Sequence, residues 1–320
     1  MLARLEYDDK SYDGALRALD KAESLHAFTQ APIPLQRLGV LMAARRFEHA
    51  AVIGDSLAPI GGTPAPLASP LFGMAVAQHL FLHGRLREAT ATWSRAHTEL
   101  RRFESSPALG RRQALVDTVL PITFGARAGT LSPGVYRQTG QVGERYVATA
   151  PSDEQPQLRR QLARTMLLGA AALGDSAAAR KWRRVWGSDS LLSLDAAAMA
   201  AAGDRTAAQG IYGRAEGDTT SDAVHLFALG VAAQALGRTE DAARHYARLD
   251  SIDVESSNWA LVSRSFARRG EVAAQLGDTA AARRHYDAFI GLWKDADAPL
   301  QAEVQAIRRA REELDQPPAR

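Results

Sequence analysis

LGDTAAARRHY, Leu276 to Tyr286, restates LGRTEDAARHY, Leu236 to Tyr246, and keeps the glycine, the threonine, an alanine and the closing Arg-His-Tyr in the same places. Reduced to its constants the phrase is Gly-x4-Ala-x3-aromatic. It fits Gly84, Ala89 and Trp93, and again Gly203, Ala208 and Tyr212. A looser form stands at Gly174 and Ala179, and two further copies lack the glycine: Tyr12, Ala15 and Leu19, then Phe47, Ala50 and Gly54. Such a phrase suits a helical hairpin. Glycine ends one helix by adopting the left-handed backbone at little cost. The alanine lets the next helix approach closely, and the bulky residue one turn on fills the space beside it.

Upstream of the phrase, Leu226, Leu229, Gly230, Ala233 and Leu236 keep helical spacing, so each copy predicts two amphipathic helices joined by a tight turn. The anchor alanines 15, 50, 89, 179, 208, 242 and 282 are separated by 35, 39, 90, 29, 34 and 40 residues. The interval of 90 predicts a degenerate unit, with a first helix over Leu115 to Gly129 disturbed by Pro121 and a second opening at Ser132 with Pro133 in its first position. Pro59 to Pro70 and Pro151 to Pro156 read as loops.

Leu229-Gly230 with Ala242 and Tyr246, and Gly270 with Ala282 and Tyr286, resemble the tetratricopeptide repeat. The resemblance implies an all-α, right-handed α-solenoid of about seven or eight hairpins, irregular because the spacings scatter. The whole chain, 1–320, reads as one superhelical domain: N-terminal repeats over 1–104, a degenerate repeat over 105–158, C-terminal repeats over 159–290 and a capping helix over 299–315. The tail also resembles the segment closing repeat arrays downstream of kinase domains in bacterial proteins.

In that family the first helix of each hairpin lines a concave groove that holds a partner's peptide or helix. Its groove positions correspond here to Leu35 and Met42; Met74, Gln78 and Phe81; Val224, Phe227, Val231 and Gln234; and Arg264, Glu271 and Gln275. This set is mostly apolar, and the sole asparagine, Asn258, lies outside it, which argues against a clamp for a chain-terminal carboxylate. The resemblance therefore implies a non-catalytic scaffold binding another protein or the chain's own upstream domain. Alternatives are a regulatory or sensory C-terminal segment of a larger bacterial signalling protein, a kinase or transcriptional regulator, or a structural subunit that self-assembles end to end into filaments as a homo-oligomer.

Composition narrows the rest. Hydrophobic residues make up 46% and aromatics 7%, which suits close helix contacts more than one large core. The 39 basic and 36 acidic residues leave a net charge of +3, and the arginine pairs, such as 283–284 and 308–309, are spread among acidic neighbours. A dedicated nucleic-acid partner is not expected from that pattern. Without cysteine there is no disulfide, thiolate metal site or cysteine nucleophile. No run of about 18 apolar residues predicts membrane insertion. A complete chain is expected in the cytoplasm, whereas a piece of a membrane-anchored protein leaves the compartment open.

Few residues invite chemistry. His79 and His83 share a helical face at metal-binding spacing, but no third ligand stands beside them in sequence. His245 and His285 recur at one repeat position, which points to structure, since catalysis needs one site and not one per unit. Gly125, Gly129 and Gly134 lack the lysine of a phosphate loop and read as a turn. No cofactor, metal or enzymatic activity is expected.

Overall fold

The computed structural model describes residues 11–25, 33–61, 70–101, 107–187, 192–217, 222–251 and 258–315. Among these, every regular element is helical. Helix α1 (Tyr12–Ser24) is followed by seven hairpins: α2 (Ile33–Ala43) with α3 (Phe47–Gly61), α4 (Pro70–Leu82) with α5 (Leu86–Arg101), α6 (Pro107–Ala128) with α7 (Pro133–Thr149), α8 (Gln155–Leu173) with α9 (Ser176–Trp186), α10 (Leu192–Ala201) with α11 (Arg205–Glu216), α12 (Ala223–Ala235) with α13 (Thr239–Arg248), and α14 (Trp259–Gln275) with α15 (Thr279–Leu292). A 3-10 turn, Ala298–Leu300, leads into α16 (Gln301–Glu313). The protein is an α-solenoid of stacked helical hairpins.

The repeated phrase accounts for this geometry. All seven anchor alanines have no exposed surface, so a larger side chain there would push the paired helices apart. The turn glycines 84, 174, 203, 237 and 277 have φ between 65° and 80°. Arg45, five residues before Ala50, holds the same left-handed position at φ 58° and stores the strain a glycine would avoid. Asp175, Asp204 and Asp278 follow their glycines and cap the next helix, each accepting a hydrogen bond from a backbone N–H three residues on. The tyrosine of the phrase fills a notch in the preceding inner helix: Tyr246 lies over Gly230, and Tyr286 over Gly270.

The degenerate unit is a full hairpin with this knob moved. In α7 the bulky residue stands at Tyr136, the fourth helical position, where other outer helices carry alanine, and Gly140 stands where α5, α11, α13 and α15 carry the aromatic. Tyr136 packs against Gly169 of the next inner helix and donates its hydroxyl to the Met166 carbonyl at 3.0 Å. Ser132 caps α7 with Pro133 in its first turn. Three expectations change. Helix α6 continues through Pro121, whose side chain is exposed. Helix α3 continues through Pro59 to Gly61, and α8 already includes Pro156, so the proline links are shorter than sequence implied; residues 62–69 lie outside the described ones.

A larger difference is that the array closes on itself. Helix α14 packs against α12 as a solenoid requires, and also against α4 and α6. The last carbonyl of α4, that of Leu82, accepts from Ser263 Oγ at 2.8 Å and from the buried Trp293 indole at 3.1 Å. Beside it Asp297 donates its backbone N–H to the Gly84 carbonyl at 3.1 Å, while its carboxylate accepts from the Arg87 N–H at 2.8 Å. Groups that a helix end leaves unpaired are thus satisfied by residues about 200 positions away. Phe47 meets Trp259 and Phe266 edge to face at 6.2 Å, and Arg45 donates to the Leu249 carbonyl at 2.7 Å. One hydrophobic cluster accordingly joins α2 to α6 with α14, α15 and α16, and a second runs from α6 to α14.

Histidines serve this packing. His79 Nε2 lies 3.2 Å from Asp55, its ring fills the notch at Gly54, and His83 donates Nδ1–H to the Leu292 carbonyl at 3.0 Å. His245 is buried with Nε2 2.8 Å from the Tyr212 hydroxyl. Burial holds His83 and His245 down at a pKa of about 4, against an ordinary 6.5. The fold therefore keeps both neutral. Their contribution is complete above pH 6.5 and declines as the pH falls towards 4, by up to about 1.4 kcal/mol per pH unit for each. Asp195, raised to about 6 by burial despite Arg183 at 3.1 Å, acts in the opposite sense over part of that window. The comparison that isolates one histidine is between chains: urea midpoints of His245→Gln measured from pH 7.5 to 4.5 are expected to fall less steeply than those of the wild type.

Candidate binding site in the axial hollow

Five inner helices, α6, α8, α10, α12 and α14, stand around the axis of the array and border a half-open hollow in two chambers. One, of about 290 Å³, is walled by all five and includes Ala171, Ala197, Phe227, Val231, Leu261 and Arg264. The other, of about 310 Å³, lies between α5, α6, α8, α10 and α12 and includes Trp93, Phe124, Arg127 and Arg164. Leu168, Leu194 and Val224 belong to both and form a waist between them. Each chamber is about twice the roughly 150 Å³ that holds a benzene ring in an engineered protein cavity. Such space admits side chains or an extended segment; a helix about 10 Å across needs more room.

The wall is small where the helices crowd, at alanines 171, 172, 197, 201 and 228, and this is why five helices meet around so narrow an axis. The charged groups of the first chamber come from α14. Arg264 and Arg268 are four residues apart and share its inward face. Arg264 donates to the Arg127 carbonyl at 3.3 Å and to Glu303 of α16 at 3.5 Å, and it lies 5.8 Å from the centre of the Phe227 ring. Its guanidinium is accommodated by Gly129, where a Cβ would come within 2.9 Å of it. Burial pulls the pKa of Arg264 below its ordinary value, the Glu303 carboxylate opposing that shift. Arg268 donates to Glu271 at 2.8 Å.

The twelve groove positions divide. Val224, Phe227, Val231 and Arg264 line the hollow. Gln234 donates to Glu271 at 2.9 Å and ties α12 to α14, while Gln275 is exposed beyond them. Leu35, Met42 and Phe81 are packed inside the N-terminal cluster, with Phe81 4.4 Å from Phe124 of the next inner helix, α6. Met74 and Gln78 are half-buried on α4. The walls from α6, α8 and α10, and the residues Arg127, Arg164 and Arg268, were not in the predicted set. The spacing of Arg264 and Arg268 was a usable signal; the alanine walls offered none, since alanine is common throughout the chain.

Among the described residues no group of three or more metal-binding side chains occurs, and no helix is long and apolar enough to cross a membrane. The fold and hollow define a class, an α-solenoid of helical hairpins around a narrow axial site. No protein-family model matches the chain, and no curated protein does. Among solved structures, the crystal structure of yeast Tom70 aligns with 98% of this chain and 83% of that one, at a TM-score of 0.36 and 12% identity.

Proposed function

We propose that the protein is a non-catalytic binding module that recognises another polypeptide by admitting side chains of an extended segment into the axial hollow. The observation that carries the reading is the convergence of five inner helices on a mostly apolar space with a few cationic groups at its wall. Ligand sites have this character, an apolar concavity with a small number of placed polar groups. The size of the chambers favours an extended strand over a helix.

The test is site-directed photo-crosslinking in a lysate of the source organism. A photoreactive amino acid replacing Val231, in the hollow, is expected to capture a defined polypeptide, and the same group replacing the exposed Val52 is not. Prior addition of unlabelled protein should compete the product away. Equal labelling from both positions, or none from Val231, would count against the hollow as the recognition site.

A further inference from the structure

The charge of the hollow is one-sided. Arg264 and Arg268 are the charged side chains lining the first chamber, Arg127 and Arg164 those lining the second, and among the described residues no carboxylate lines either. Over the whole chain basic and acidic residues nearly balance, 39 to 36, so this concentration of one sign is local to the axis. The acidic partners Glu303 and Glu271 stand outside the lining. Arg264 has five N–H donors and meets them with two long contacts, 3.3 Å and 3.5 Å, although its side chain is only 14% exposed. A cation so far withdrawn from water is costly unless an anion completes its hydrogen bonds.

We infer that the segment admitted to the hollow carries an acidic side chain between apolar ones, its carboxylate held by Arg264 and Arg268 and its neighbours seated against the alanine and leucine walls. This rests on the hollow being a polypeptide site, and it adds the chemistry that selects the segment. The planar guanidinium of Arg264 presents parallel donors that match a carboxylate. Gly129, at φ 79°, leaves the guanidinium its space on the opposite side. The alanines around the axis supply apolar surface for the flanking residues.

A randomised library of heptapeptides blocked at both ends, so that side chains supply the only carboxylates, tests the idea on the full chain. Panning is expected to enrich aspartate or glutamate flanked by apolar residues. The selected peptides are expected to bind Arg268→Gln at least tenfold more weakly, about the effect of losing one charge-assisted hydrogen bond. Arg264→Gln serves as a second variant, with thermal unfolding of both compared with the wild type to show that the fold persists. Enrichment of apolar sequences without an acidic residue would overturn the inference while leaving the polypeptide site standing. An absence of any enrichment would overturn both.

Discussion

Gly230→Ala is expected to destabilise the protein by about 3 kcal/mol, the upper part of the range for overpacking a core, even though alanine is the better helix former by about 1 kcal/mol. A Cβ at position 230 would lie 2.4 Å, 2.6 Å and 2.7 Å from three carbons of the Tyr246 ring. That ring is fully buried, and its hydroxyl contacts Gln234 at 3.4 Å, so it has no open side to move into. Gly210 provides the opposite case on α11. Nothing lies within 4 Å of a Cβ built there, and the residue is exposed. Gly210→Ala is therefore expected to stabilise by about 0.5–1 kcal/mol through helix propensity. Urea unfolding of the two variants and the wild type checks both signs. Equal effects at the two positions would mean that the tyrosine does not occupy the notch.

Trp293→Ala is expected to cost about 4 kcal/mol, in the range for deleting a buried tryptophan. Trp293 has no exposed surface, lies with its ring 4.8 Å from that of Phe289 at a 45° tilt and donates its indole N–H to the Leu82 carbonyl. The loss should also be unevenly distributed. In a solenoid each unit is stabilised mainly by its neighbours, so removing the closing residue should leave α8 to α11 nearly as protected as before. Hydrogen exchange is expected to accelerate at the end of α4, the start of α5 and through α14 to α16. Uniform acceleration would argue that the array behaves as one cooperative body, and no acceleration would argue that the closing contacts do not form.

Local features of the fold were legible in sequence, and distant ones were not. The glycine, alanine and tyrosine of the repeat each act within a hairpin, so Gly237, Ala242 and Tyr246 state their own geometry. The α6–α7 unit was harder to see because Tyr136 and Gly140 exchange the bulky and small positions and erase the phrase while keeping the packing. Closure left no signature at all. Ser263, Trp293 and Asp297 look like ordinary helix and turn residues, and only the folded chain brings them to Leu82, Gly84 and Arg87. The groove positions divide: Val224, Phe227, Val231 and Arg264 on α12 and α14 face the axis, whereas Phe81 on α4 packs against Phe124 of the neighbouring hairpin.

Closure brings the first and last hairpins of the array together, and a double-mutant cycle on Phe47 and Trp259 measures that meeting. The residues are 212 positions apart in sequence, with ring centres 6.2 Å apart. Unfolding free energies of the wild type, Phe47→Ala, Trp259→Ala and the double variant are expected to give a coupling of about 1 kcal/mol, the size found for buried aromatic pairs. Additivity within about 0.3 kcal/mol would place the first and last hairpins out of contact and contradict the closure of the array.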